Sequence, residues 1–243
     1  MPQAPKQPPR CNGRATPQAG KGDGKMERRR LLDIPSGYTL LNYIQSTGVQ
    51  AIDTGVVYDV DDMEVAGTLY LPSDVTQQTR YPYISGICQR TSGGGRACSL
   101  VLSPDVSPMA LIFSNKTNSD SGNSYGAFNL NTDFTFKGVL KNQRTTLYIN
   151  GSQVGNIIAY TLDWSTCSHS LALFTAWDYS LNQYNVTHGV KIRLKNWQFK
   201  KQGTLIRDFV PVLNNNGVAG LYDLIEGVFY ADVIGNEPFI YSL

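Results

Sequence analysis

From residue 31 onward the chain sustains no helical period past about two turns. It repeats short runs rich in Val, Ile, Thr, Tyr and Phe, broken by Gly, Asn, Asp, Ser or Pro roughly every 8–12 residues. That pattern excludes helical bundles and alternating α/β folds, and it predicts an all-β antiparallel sandwich. Strands are expected over residues 50–57, 64–71, 83–89, 97–102, 110–113, 132–140 and 144–150, and then over 153–159, 170–176, 190–200, 204–212, 217–223 and 228–231. The sharpest turn signal is Asn150-Gly151 in "TTLYINGSQVG", because both residue types tolerate the positive φ of a type I′ hairpin. Lys201-Gln202-Gly203 should close a second hairpin. On the strand before it, Ile192 and Leu194 share a face with Trp197 and Phe199 only if one residue is inserted, so a bulge is expected near Lys195–Asn196. The polar stretches "QRTSGGGRA" and "SNKTNSDSGNS" are read as long loops on one rim.

The first thirty residues differ in kind. They contain no Leu, Ile, Val, Phe, Tyr or Trp, so they have nothing with which to build a core, and Pro and Gly recur throughout. Residues 1–30 carry eight Lys/Arg (Lys6, Arg10, Arg14, Lys21, Lys25, Arg28, Arg29 and Arg30) against two acids, a net of +6. Residues 31–243 carry thirteen against seventeen, a net of −4. The expected organisation is an extended basic arm, 1–30, followed by one sandwich domain, 31–243. A basic arm seeks an acidic partner. Nucleic acid is not favoured, because no aromatic residue is interleaved with the arm's cations to stack on bases.

Cys11, Cys88, Cys98 and Cys167 form no C-x-x-C pair and no zinc spacing. Free thiols are preferred over a Cys88–Cys98 pairing across a hairpin. No apolar run has the length of a membrane span, and the basic N-terminus is not followed by the apolar segment of a secretory signal. Synthesis in the cytoplasm is expected, so the sequons at Asn115, Asn150 and Asn185 carry little weight.

The C-terminal stretch "LIRDFVPVLNNNGVAGLYDLIEGVFYADVIGNEPF" resembles the closing hairpins of concanavalin A-like (laminin-G-like) jelly rolls in tailed-phage and prophage structural proteins. "LNYIQSTGVQAIDTGV" is similar to the first strand pair of such modules, and "LYINGSQVG" and "LALFTAWD" fit their middle strands. The resemblance runs from about Leu40 to the end, looser across residues 59–133, and leaves out the arm. It implies a jelly-roll sandwich in which Asp208, Pro211, Gly220, Asp223 and Gly227 hold turns and strand contacts. It further implies a virion structural role, as a capsid decoration, head fibre or tail appendage, with the arm fastening the protein to other virion subunits. A homo-oligomer is expected, a trimer among the options.

A search for chemistry in the sequence predicts no enzyme. Retaining glycoside hydrolysis needs two carboxyls about 5–5.5 Å apart, and none of the four Glu, at 27, 64, 226 and 237, lies in an E-x-D-x-x-E strand. Asp61, Asp62 and Glu64 read as a polar turn entering a strand, and Asp223 with Glu226 as hairpin structure. Cys167 and His169 would share a face of a strand but lack an orienting third group. "SGGG" lacks the Lys of a phosphate loop. No cofactor is expected, calcium on the Asn118, Asp120 and Asn123 loop being the weak exception. The segment "AWDYSLNQYN" gathers Trp177, Asp178, Tyr179, Asn182 and Tyr184 at a strand exit. Aromatic faces beside Asp and Asn suit a sugar ring, and equally suit packing on a neighbouring subunit. Two alternatives to the virion role therefore stand: a glycan-binding host-adhesion module and a polysaccharide depolymerase.

Overall fold

Among the described residues the chain forms nineteen short strands; thirteen fall where strands were expected, and the other six lie outside the expected stretches. The structure is a computed structural model that describes residues 34–243, apart from 59–60, 78–81, 90–95, 104–109, 117–120, 160–168, 179–180 and 236. The arm residues therefore lie outside the described region. In chain order the strands are β1 (Tyr38–Leu40), β2 (Tyr43–Gln45), β3 (Ile52–Val57), β4 (Asp62–Tyr70), β5 (Tyr83–Gln89), β6 (Arg96–Ser103), β7 (Ala110–Lys116), β8 (Ser121–Ala127), β9 (Asp133–Lys141) and β10 (Arg144–Ile149). They continue as β11 (Ser152–Ala159), β12 (Ser170–Leu173), β13 (Trp177–Asp178), β14 (Gln183–Tyr184), β15 (Arg193–Lys201), β16 (Thr204–Asn214), β17 (Ala219–Asp223), β18 (Val228–Tyr230) and β19 (Ile240–Ser242).

The larger sheet runs β11-β10-β9-β4-β15-β16-β17-β18, with β1 added to β16, β2 to β15 and β19 to β2. The smaller runs β14-β13-β5-β6-β7-β8, with β12 joining β3 to β5. Neighbours are antiparallel except β13 and β5, which run parallel. This is the antiparallel sandwich that the sequence pattern called for. One core fills it: Trp197, Phe199 and Phe209 of the larger sheet are fully buried, in one cluster with Ile84, Leu100, Leu171 and Leu173 of the smaller.

Local chemistry sets the hairpins. Asn150 and Gly151 have φ of 50° and 78°, and Gln202 and Gly203 have 50° and 75°, the paired positive values of type I′ turns. A third such turn, Asn142-Gln143 at 51° and 55°, joins β9 to β10 without a glycine to announce it. The bulge in β15 falls where the register argument required it. The pairing with β4 slips between Leu194 and Asn196, Lys195 and Asn196 both stay partly exposed, and Ile192, Leu194, Trp197 and Phe199 all point inward.

The C-terminal motif is buried on both faces. Phe209 and Leu221 join the main core, while Val210, Val212 and Tyr222 form a second cluster beneath Ile34, Tyr38 and Leu40. Tyr38 packs its ring 5.0 Å from Tyr222 and 5.7 Å from Phe229. A strand pair covered on both sides reads as a near-continuous apolar run, which is why this part of the sequence stands out.

One loop expectation is corrected. Within "SNKTNSDSGNS", Ser114–Lys116 and Ser121–Ser124 are paired strand, Lys116 opposite Ser121, so these residues extend the β7–β8 ladder. Of "QRTSGGGRA", residues 90–95 lie outside the described region. The β5–β6 register sets Cys88 against Ala97 and Cys98 against Ile87, so the two cysteines are not cross-strand partners.

Candidate functional site

The β13–β14 hairpin brings part of the aromatic segment together at the solvent edge of the smaller sheet. Trp177 pairs with Tyr184 across the hairpin and runs beside Ile87 of β5. Its indole packs partly on the core and stacks against the exposed His169 ring, centroids 4.5 Å apart and planes at 23°. Tyr184 meets the same indole edge-on at 4.9 Å and 86°. Such aromatic pairs contribute roughly 0.5–1.5 kcal/mol beyond their area, so the three rings hold one another in place.

Two carboxylates fix this cluster from below. Asp53 of β3 accepts the Tyr184 hydroxyl through Oδ2 at 3.0 Å, and through Oδ1 it accepts the Gly55 amide at 3.0 Å and the Ser170 hydroxyl. Burial first, then the Asp53 charge and hydrogen bond, raise the Tyr184 hydroxyl well above the ordinary phenol range. Asp178 has no exposed surface, and its Oδ2 accepts Asn185 Nδ2 at 3.0 Å. Thr187 in turn donates to Asn185 Oδ1 at 2.8 Å, and Thr175 to its carbonyl at 2.7 Å. A buried carboxylate needs such partners, so Asp178 shapes the hairpin from inside and is not presented to a ligand. Asn182 is exposed at the hairpin tip with φ of 52°. Tyr179 lies outside the described residues.

Sequence reasoning missed Asp53 and Ser170 altogether and weighed His169 only with Cys167, which is outside the described residues. No local signal could have found Asp53, because its partners Ser170 and Tyr184 are 117 and 131 positions away. The other carboxylates considered are engaged elsewhere. Asp62 pairs with Lys141 at 2.9 Å, Glu64 with Lys200 at 2.8 Å, and Asp61 accepts the Gln143 amide at 2.9 and 2.8 Å. Arg207 contacts both Asp223, at 3.4 Å, and Glu226, at 2.6 Å, and Tyr230 donates to Glu226 at 2.8 Å. Among the described residues no group of three or more His, Cys, Asp or Glu could hold a metal ion. Asn118 and Asp120 lie outside those residues, and Asn123 falls within β8. Among the described residues, no helix is long and apolar enough to cross a membrane.

The site thus lies at one edge of an antiparallel β-sandwich, an aromatic cluster backed by the part-buried Asp53 and the buried Asp178. No family model matches the chain, and no curated protein matches it. Among solved structures it is similar to the heptameric SAP-like pentraxin of Limulus polyphemus, at 15% identity over 67% of this chain and 74% of that one, with a TM-score of 0.43. It is also similar to mouse laminin α1 domains LG4-5, at 10% identity over 79% and 48% with a TM-score of 0.45. The Bacillus subtilis carbohydrate-binding module CBM66 is a further neighbour, at 8% identity over 68% and 96% with a TM-score of 0.34.

Proposed function

We propose that the sandwich is a non-enzymatic glycan-binding module. One observation carries this reading: the His169–Trp177–Tyr184 cluster sits at a solvent edge, held by Asp53 below. Rigid aromatic surface next to exposed amides such as Asn182 and Gln183 suits a sugar, whose C–H faces stack and whose hydroxyls hydrogen-bond. The engaged state of the described carboxylates supports binding over hydrolysis. A glycan array with the full chain should give a defined set of ligands, with Trp177→Ala and His169→Ala each losing at least tenfold in affinity while staying folded. An array without ligands, together with host adsorption untouched by Trp177→Ala, would refute it. Release of reducing ends from capsule would instead make the protein a depolymerase.

The C-terminal motif and the +6 arm favour a setting for this module. The protein is a phage virion component whose basic arm docks in an acidic groove between virion subunits. Deleting residues 1–30 should leave a folded domain that no longer joins particles. Normal incorporation of the truncated protein would overturn the anchoring role.

A further inference from the structure

The outward face of the larger sheet holds an arginine in an unusual setting. Arg193 of β15 lies in register with Gln45 of β2 on one side and Tyr70 of β4 on the other. Its guanidinium carbon is 4.7 Å from the Tyr43 ring centroid and 4.5 Å from that of Tyr70, so an aromatic ring flanks it from each of the two neighbouring strands. Nε donates to Gln45 Oε1 at 2.7 Å. Tyr70 is itself braced by Asn131, whose Oδ1 lies 3.5 Å from the Tyr70 hydroxyl and accepts the Ser73 amide at 3.0 Å. Arg193 is only partly exposed, yet among the described residues no carboxylate lies within ion-pair reach of it. The acids nearby serve other cations: Asp133, in register with Tyr70, pairs with Lys195, and Asp74 lies 3.7 Å from Lys191.

Two physical consequences follow. The rings cover part of the guanidinium and restrict its plane, removing much of the entropy that a free arginine loses on binding. With Nε committed to Gln45, the terminal N–H groups remain as a forked donor, which matches the two oxygens of a carboxylate. A positive, pre-oriented fork on a sheet face, with no carboxylate partner among the described residues, suits an anion.

We propose that Arg193, Tyr43 and Tyr70 form a carboxylate clamp that recognises an acidic saccharide, a uronate-type residue, on the face of the larger sheet. This rests on the glycan-binding reading and names a substrate class and a second contact surface for it. A saccharide suits the place better than an acidic peptide. β15 is hydrogen-bonded on both sides, to β4 and to β2 and β16, so it offers no backbone edge to an extended peptide. Hydrogen-bonding side chains lie nearby on the same face, among them Thr68 and Asn196, which bond each other at 3.0 Å.

The test uses the full chain, labelled with 15N, titrated with tetragalacturonate, its methyl ester and tetra-aspartate. Tetragalacturonate should shift the amides of residues 44–45, 69–70 and 193–194 saturably, and the ester and tetra-aspartate should leave them still. Arg193→Lys keeps the net charge, and hence any diffuse attraction to the basic arm, but loses the fork; it should weaken binding at least tenfold. Tyr43→Leu, which removes one ring, should weaken it in the same direction. Binding by Arg193→Lys equal to that of the unmodified chain overturns the clamp. Shifts confined to Trp177 and His169 overturn it too, while leaving the glycan-binding reading intact. Equal shifts from tetra-aspartate overturn the saccharide assignment.

Discussion

Replacing Asp223 tests whether the C-terminal motif is architecture. Its side chain is fully buried at the end of β17, and Oδ1 accepts two backbone amides, Asp208 at 2.9 Å and Ile225 at 3.0 Å. Oδ2 has no hydrogen bond of its own but lies 3.4 Å from Arg207 Nε, a charge contact to a guanidinium that is 14% exposed. Asp223→Ala orphans both amides at about 1 kcal/mol each, the low end because both are only part-buried, and takes one of two counter-ions from Arg207; the sum is about 3–4 kcal/mol. Glu226, 2.6 Å from the same guanidinium, limits the last contribution. For a domain of this size that corresponds to a fall in Tm on the order of 10 °C. Asp223→Asn keeps an oxygen for the amides and loses only the charge, so it should cost about 1–2 kcal/mol. Urea unfolding followed by tryptophan fluorescence measures both. If Asp223→Asn is as damaging as Asp223→Ala, charge pairing rather than turn geometry is what the residue supplies. If Asp223→Ala costs less than about 1 kcal/mol, the motif is not architectural and the reasoning fails.

Two glycines should separate crowding from backbone strain. A Cβ on Gly220 would sit 2.4 Å from the Tyr230 carbonyl oxygen and 2.8 Å from the Phe229 ring, so Gly220→Ala should destabilise by about 2–3 kcal/mol. Gly151 has φ of 78° and open space around it, so Gly151→Ala should cost only the left-handed backbone penalty of about 1–2 kcal/mol; the same urea assay ranks them. Alkaline titration should show Tyr184 and Tyr230 ionising late, Tyr230 being pushed up to about 12 by burial first and then by its hydrogen bond to Glu226. Both hydroxyls are raised above their unfolded value, so their stabilising contribution is whole below about pH 10 and is lost as pH rises through the folded values. Tyrosinate absorbance should lose part of its late phase in Tyr230→Phe, and an unchanged late phase would contradict the assignment.

What the sequence revealed depended on how local the determining interaction is. Asn150-Gly151 was legible because a type I′ turn is decided by two residues. The β15 bulge was legible because four large apolar residues on one strand can share a face in only one register. β8 was not, since "SGNSYGA" is polar and Gly-rich and owes its strand state to a backbone ladder with β7. The Asn142-Gln143 turn escaped because neither residue is glycine. The Arg193 clamp escaped because its rings come from Tyr43 and Tyr70, which only sheet register brings beside it.

The two-residue strand Trp177–Asp178 shows where hydropathy misleads. Alternation requires one of the pair to face inward, and polarity alone would bury the tryptophan and expose the aspartate. The opposite holds: Asp178 is fully buried and Trp177 is the partly exposed one. Asn185 makes the inversion affordable, because its amide satisfies a carboxylate that would otherwise be too costly to desolvate. With Asp178 turned inward, the indole is pushed to the edge, where His169 and Tyr184 can close around it. The exposed face of the indole is therefore set by an asparagine seven positions downstream of the aspartate, together with the aspartate it holds inward. Asn185→Ala should consequently disturb glycan binding without touching the ligand, and binding unchanged in that variant would break the link between the buried pair and the rim.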